Sequence, residues 1–95
     1  MALTDGPRKD PIFVRPNSNV QGVGGNLAVV LTESRHEILR AIGAGAVNQA
    51  VKSVIHARQQ LSAAGEDLVV RPGFVTVEGS DGQDVTAVVF HCVLL

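Results

Sequence analysis

The sequence is poor in the residues that most often carry chemistry. It has one cysteine, and three phenylalanines are its only aromatic residues. A lone cysteine excludes an internal disulfide and a metal site built from cysteines. Two of the phenylalanines have core-like neighbours, so a platform for stacking single-stranded bases is poorly supported. Cys92 lies in the apolar run Val88–Val93, and we interpret it as a small buried hydrophobic residue.

The chain also lacks a surplus of either charge and any long apolar run. Eight basic and nine acidic residues give a formal net charge of -1, whereas a strongly basic nucleic-acid binder carries an excess of lysine and arginine. No apolar run approaches the roughly 20 residues of a membrane-spanning helix. The first ten residues are polar, unlike a signal peptide. We therefore expect a cytoplasmic protein with no membrane partner.

Length and composition predict one folded domain. The 95 residues are 45% hydrophobic and 18% charged, which is apolar enough to fold. We expect a flexible N-terminal tail over residues 1–10 and a single domain over residues 11–95. A domain this small buries only about two thirds of the surface of its unfolded chain. We therefore expect a homodimer or a higher homo-oligomer, in which a second subunit covers part of the remaining apolar surface.

The hydrophobic spacing predicts an α+β domain with the element order βαβαββ. The predicted elements are strands over 11–15 and 36–42, helices from about 20 to 35 and from 46 to about 63, and strands over 67–77 and 85–95. Short right-handed connections place both helices on one face of a four-stranded sheet. Pro72-Gly73 is expected to interrupt the third strand, at a sheet edge or a bulge. The apolar fourth strand is expected in the sheet centre.

Strand alternation also predicts which residues face away from the helices. This set mixes apolar and cationic residues: Phe13, Arg15, Ile38, Arg40, Ile42, Val69 and Arg71. Such a face is too apolar to be fully exposed to solvent and too charged to be a core, so we expect an oligomer to cover part of it.

Three glycines in the first helix, Gly22, Gly24 and Gly25, fall in its apolar stripe. They predict close packing of that helix on the sheet.

The most distinctive segment is Ala41–Lys52, a strand followed by a glycine turn and a helix. Gly43 and Gly45 let a phosphate approach the free N–H groups of a helix start. The segment lacks the Walker A ending and the third glycine of the dinucleotide fingerprint. A tight turn and a phosphate site therefore both remain open. Asn48, Gln49 and Lys52 lie on the exposed side of the helix and could contact phosphates, although solvated surface residues have the same pattern.

No set of residues predicts catalysis. His36, His56 and His91 lie on three different elements and lack the spacing of a zinc site. The serines are capping or surface residues, and the carboxylates lie at element ends and turns, so no general acid–base pair stands out. We expect no enzyme activity, no catalytic or metal-binding residue and no cofactor.

Two segments, Pro16–Ser18 and Ala41–Lys52, closely resemble the stage V sporulation protein S family of the Alba-like superfamily. The similarity covers roughly residues 12–95. It implies an Alba-like two-layer sandwich with a mixed sheet of strand order 1-2-4-3 and an antiparallel fourth strand. It also implies dimers or larger assemblies, a link to late sporulation, and a regulatory role with DNA or RNA as partner.

In Alba itself, nucleic acid is held by basic residues in the loop after strand 1 and by a basic hairpin between strands 3 and 4. Here the loop, Arg15–Asn19, has one basic residue, and the hairpin, Glu78–Asp84, is acidic and repels phosphate. The residues left as candidates for nucleic-acid binding are Arg15, Asn17, Gly43, Gly45, Asn48, Gln49, Lys52 and Arg71. Two other functions stay open: a protein-interaction or assembly module with an unknown protein partner, and a phospho-ligand sensor at the glycine turn.

Overall fold

Residues 11–95 form six secondary-structure elements in the predicted order. The computed structural model describes residues 11–95, and the predicted tail over residues 1–10 lies outside them. The elements are β1 (Ile12–Val14), α1 (Val20–Ser34), β2 (His36–Ala41), α2 (Ala44–Ala63), β3 (Leu68–Glu78) and β4 (Asp84–Leu94). None of the helices in this part of the chain is long and apolar enough to cross a membrane.

The four strands form one mixed sheet in the order β1-β2-β4-β3, which confirms the predicted topology. β1 runs parallel to β2, and β4 is antiparallel to both β2 and β3. β3 is therefore an edge strand. The predicted interruption at Pro72 is wrong, because Pro72 pairs with Phe90 within an unbroken ladder. An edge strand needs hydrogen bonds on one side only, so it tolerates a residue without an N–H group.

Both helices cover the same face of the sheet, and the core lies between the two layers. Leu27 and Leu31 of α1 and Leu39 of β2 are completely buried there. Most core-facing residues of α2 are small: Ala46, Ala50 and Ala57 have at most 1% of their surface exposed. Small side chains let this helix approach the sheet and α1 closely.

Gly24 marks a close approach between the two helices. A Cβ atom at this position would lie 2.8 Å from the Cβ atom of His56 and 2.8 Å from the carbonyl oxygen of Ser53. The predicted close packing of α1 is thus real, but its partner is α2 rather than the sheet. Gly25 meets nothing within 4 Å. Of the two neighbouring glycines, only Gly24 is required by packing.

Cys92 is buried in the core, as predicted. None of its surface is exposed, and its thiol lies 3.6 Å from the carbonyl oxygen of Phe90. Burial, followed by the nearby charge of Glu37, raises the pKa of Cys92 from 9.0 to about 12. A thiol with this pKa stays protonated at neutral pH and is a poor nucleophile. Because the folded-state pKa is the higher one, this burial favours folding below pH 9 and ceases to do so as the pH rises towards 12.

The glycine pair in α1 gives a matched test of the helix contact. Gly24→Ala is expected to lower the free energy of unfolding by about 1–3 kcal/mol, because the added methyl group overpacks the contact with α2. Gly25→Ala is expected to raise it by about 0.5–1 kcal/mol, because alanine is the better helix former and has room. Urea unfolding of both variants measures the difference. Equal effects of the two substitutions would contradict the close contact at Gly24.

Candidate nucleic-acid interface

Seven of the eight predicted binding residues lie at or near one end of the sheet. β1 and β2 are parallel and end side by side, with Val14 opposite Ala41. The segments that follow them, 15–19 and 42–43, therefore lie at the same end, which we call the turn end. Both helices also begin there. Helix N-termini carry partial positive charge, so the turn end is electrostatically suited to an anion.

The loop after β1 is a tight turn that presents Arg15 and Asn17 to solvent. The N–H group of Ser18 donates to the carbonyl oxygen of Arg15 at 3.0 Å, and the N–H group of Arg15 donates to the hydroxyl of Ser18 at 2.8 Å. Asn19 caps α1, since its side-chain oxygen accepts a hydrogen bond from Gly22 at 2.7 Å. Ser18 and Asn19 thus have structural roles, and the exposed Arg15 and Asn17 side chains remain for a ligand.

The second segment of the turn end is the start of α2. The helix begins at Ala44 rather than at the predicted Ala46, so Gly45 lies inside it and only Gly43 forms the turn. Gly43 has φ 89° and ψ 158°, a backbone conformation that is essentially confined to glycine. It supplies no side-chain cap. The first turn of α2 is therefore uncapped by a side chain, at the position where the sequence predicts a phosphate site.

Gly45 and Gln49 dock α2 on the loop after β1. A Cβ atom at Gly45 would lie 3.3 Å from the Cβ atom of Pro16, so glycine allows the close approach. The side-chain amide of Gln49 donates to the carbonyl oxygen of Ser18 at 2.9 Å. Gln49 is thereby a positioning residue that holds the loop. Asn48 is exposed beside it, and Lys52 is exposed one turn further along α2.

Arg71 does not join this group. It lies on β3, at the opposite edge of the sheet from β1, and pairs with His91 of β4, which in turn pairs with Ile38 of β2. Strand alternation places its side chain on the face that the helices leave uncovered. We call this the open face. The predicted site is thus divided: seven of its residues lie at the turn end or just beyond it, and Arg71 lies on the open face.

The open face also holds a pair of residues, Phe13 and Arg40, that strand alternation predicts there. The guanidinium carbon of Arg40 lies 5.1 Å from the centre of the Phe13 ring, a cation–π geometry. Phe13 is 48% exposed, and Phe74 is 80% exposed. Of the three phenylalanines only Phe90 is buried, although two of them have core-like neighbours in the sequence. The signal for Phe13 was strand alternation, which faces it away from the helices.

A groove of about 520 Å³ runs from this pair towards the β3–β4 hairpin. Phe13, Arg15 and Arg40 line one side of it, and residues 77–80 line the other. The acidic residues of the hairpin, Glu78, Asp81 and Asp84, are all exposed. Because Glu78 pairs with Asp84, both project from the side of the ladder opposite to the open face. Within residues 11–95 no group of three or more potential metal ligands comes together.

Comparison with known proteins gives a family and a structural neighbour. The family model described as Stage V sporulation protein S matches residues 11–94. Among solved structures, Alba from Thermoplasma volcanium matches with a TM-score of 0.56 and 17% sequence identity. The match covers 90% of this chain and 98% of that chain. At this identity the likeness shows a common fold, and it agrees with the βαβαββ order and the sheet topology.

Proposed function

The chain belongs to the stage V sporulation protein S family and has an Alba-like fold, and from this premise we propose that it is a non-enzymatic regulatory protein that binds nucleic acid as an oligomer. The cytoplasm is the compartment that fits this role. The observation that carries the proposal is the convergence of Arg15, Asn17 and the uncapped start of α2 at the turn end.

The turn end fits a phosphate backbone better than the composition suggests. Arg15 supplies a cation, and the first turn of α2 supplies N–H groups on a positive helix terminus. Asn17 and Asn48 are exposed beside them as hydrogen-bond donors. Lys52 extends the cationic surface along α2. Such contacts fix a nucleic acid through its phosphates and read no sequence, so we propose binding with little sequence preference.

An uncharged patch on the helix side supports the oligomer. Val51 and Ile55 of α2 are 42% and 50% exposed, and they line a shallow apolar surface with Val70 and Pro72 of the β3 edge. No charged residue lines it. Contiguous exposed apolar surface of this kind is typical of a subunit contact. We propose that a second copy of the chain covers this patch, which leaves the turn end accessible.

The same patch also supports a second candidate function. A protein-interaction module without affinity for nucleic acid would use the apolar surface of α2 and the acidic hairpin for a protein partner. Net charge -1 and the exposed Glu78, Asp81 and Asp84 favour it. The two candidates differ in one measurable property, because only the first has an affinity that falls with salt concentration.

Nucleic-acid binding is tested by fluorescence-anisotropy titration of short DNA and RNA, single-stranded and duplex, at low and moderate salt. We expect binding in the micromolar range or tighter that weakens as salt rises. Lys52→Ala is expected to weaken binding to every sequence alike. It is also expected to reduce the slope of log affinity against log salt concentration by about one.

Arg58→Ala is the matched control, because Arg58 is an exposed cation on the same helix but further from the turn end. It is expected to leave the affinity close to that of the parent. Absence of binding at low salt would exclude the nucleic-acid function and favour the protein-interaction module. Equal losses in both variants would indicate a diffuse charge effect and contradict binding at the turn end.

The subunit contact is tested by sedimentation equilibrium of Ile55→Glu. A charge buried in an apolar contact without a partner is strongly unfavourable, so this variant is expected to be monomeric at concentrations where the parent is an oligomer. Gln59→Glu adds the same charge at an exposed position of α2 and is expected to leave the oligomer intact. An unchanged oligomer in Ile55→Glu would contradict the assignment of the contact to this patch.

A further inference from the structure

The open face differs from the rest of the molecule in its charge. Its strand positions hold two arginines, Arg40 and Arg71, two histidines, His36 and His91, and otherwise apolar residues and a glycine. Strand alternation turns every carboxylate of the four strands to the other side of the sheet. These are Glu37, Glu78 and Asp84. A chain of net charge -1 thus has one sheet face on which arginine is the only Asp, Glu, Lys or Arg residue at the strand positions.

Arg40 is the most exceptional of these cations. Its Nε atom is buried and has no hydrogen-bond partner among residues 11–95. Its guanidinium group lies over the ring of the half-exposed Phe13. A ring compensates a cationic charge only weakly, so the guanidinium remains suited to an anion. The pair thus combines an exposed aromatic side chain with a planar cation next to a groove open to solvent.

A second copy of this chain is a poor occupant for the open face. A two-fold contact brings the same surface of both subunits together. Here it would enclose Arg40 and Arg71 from each subunit without a carboxylate from either open face. Burying such charges unpaired is strongly unfavourable. This argues against the sequence-based expectation that an oligomer covers this face, and it favours an anionic occupant.

We propose that the open face binds single-stranded nucleic acid, with a base stacked on Phe13 and phosphates held by Arg40 and Arg71. This inference rests on the proposed function and specifies its ligand. Proteins that bind single strands combine aromatic side chains with a positively charged surface that follows the backbone. Stacking on Phe13 requires an unpaired base, because the bases of a duplex are already stacked on one another.

The groove fixes the direction in which the strand lies. Its volume of about 520 Å³ is within the range of small-molecule sites and accommodates a base. The hairpin side of the groove, residues 77–80, has no cationic residue. The phosphates therefore lie towards β1 and β2, where Arg15 and Arg40 line the groove. Arg15 connects this surface to the turn end, so one strand can contact both.

The absence of tryptophan and tyrosine from the chain allows a direct test. In the Phe13→Trp variant, the tryptophan lies at the proposed stacking position and is the only strong fluorophore of the protein. The full chain of this variant is titrated with oligothymidylate of about 12 nucleotides. We expect quenching of the tryptophan by the single strand and little change with a duplex of the same length. Val29→Trp places the same fluorophore on the exposed surface of α1 and is expected to show no quenching.

Affinity provides a second readout. Phe13→Ala and Arg40→Gln are each expected to weaken binding of the single strand roughly ten-fold and to weaken binding of a duplex much less. Phe13→Leu keeps the apolar contact without the aromatic ring and is expected to lose as much affinity as Phe13→Ala. Circular dichroism of each variant verifies that the fold is retained.

Two outcomes separate failure of this inference from failure of the proposed function. If Lys52→Ala weakens binding while Phe13→Trp is not quenched and Phe13→Leu binds as the parent does, the open-face assignment is overturned and the proposed function stands. If neither single strands nor duplexes bind at low salt, both are overturned.

Discussion

The constraint on which the structure depends is that its helices cover one face of the sheet only. Both crossovers place a helix on the same side, so the core lies between one pair of faces. Small residues such as Ala50 and the close contact at Gly24 make this single layer of helices dense. The other face of the sheet has no covering layer within residues 11–95. Its residues therefore determine what the molecule can contact.

Charge is segregated across the sheet as a consequence. The strand register turns Glu78 and Asp84 to one side and Arg40 and Arg71 to the other. A net charge of -1 is a sum over the whole chain and conceals this separation. Local potential, rather than net charge, governs where a polyanion docks. The acidic hairpin thus repels phosphate on its own side of the ladder, and this is compatible with an anion on the open face or at the turn end.

Features that depend on periodicity were predictable from the sequence. Alternation assigned Phe13 and Arg40 to the uncovered face, and helical spacing located α1 and α2, because both depend on neighbouring residues along the chain. Contacts between distant segments were not predictable. Gln49 bonds to Ser18, and Gly24 packs against His56. The sequence predicts a start of α2 that is two residues too late, because glycine is a poor helix former. Gly45 nevertheless lies inside the helix, where it allows the close contact with Pro16.

The central claim is that nucleic acid contacts the turn end and the open face of one molecule. The most direct measurement is amide chemical-shift mapping by NMR during titration with a short single strand. We predict perturbations at Arg15, Phe13, Arg40 and the first turn of α2, with the hairpin tip and the outer surface of α1 unchanged. Perturbations confined to the hairpin or to α1 would contradict the claim, and a spectrum unchanged at low salt would remove nucleic acid as the ligand.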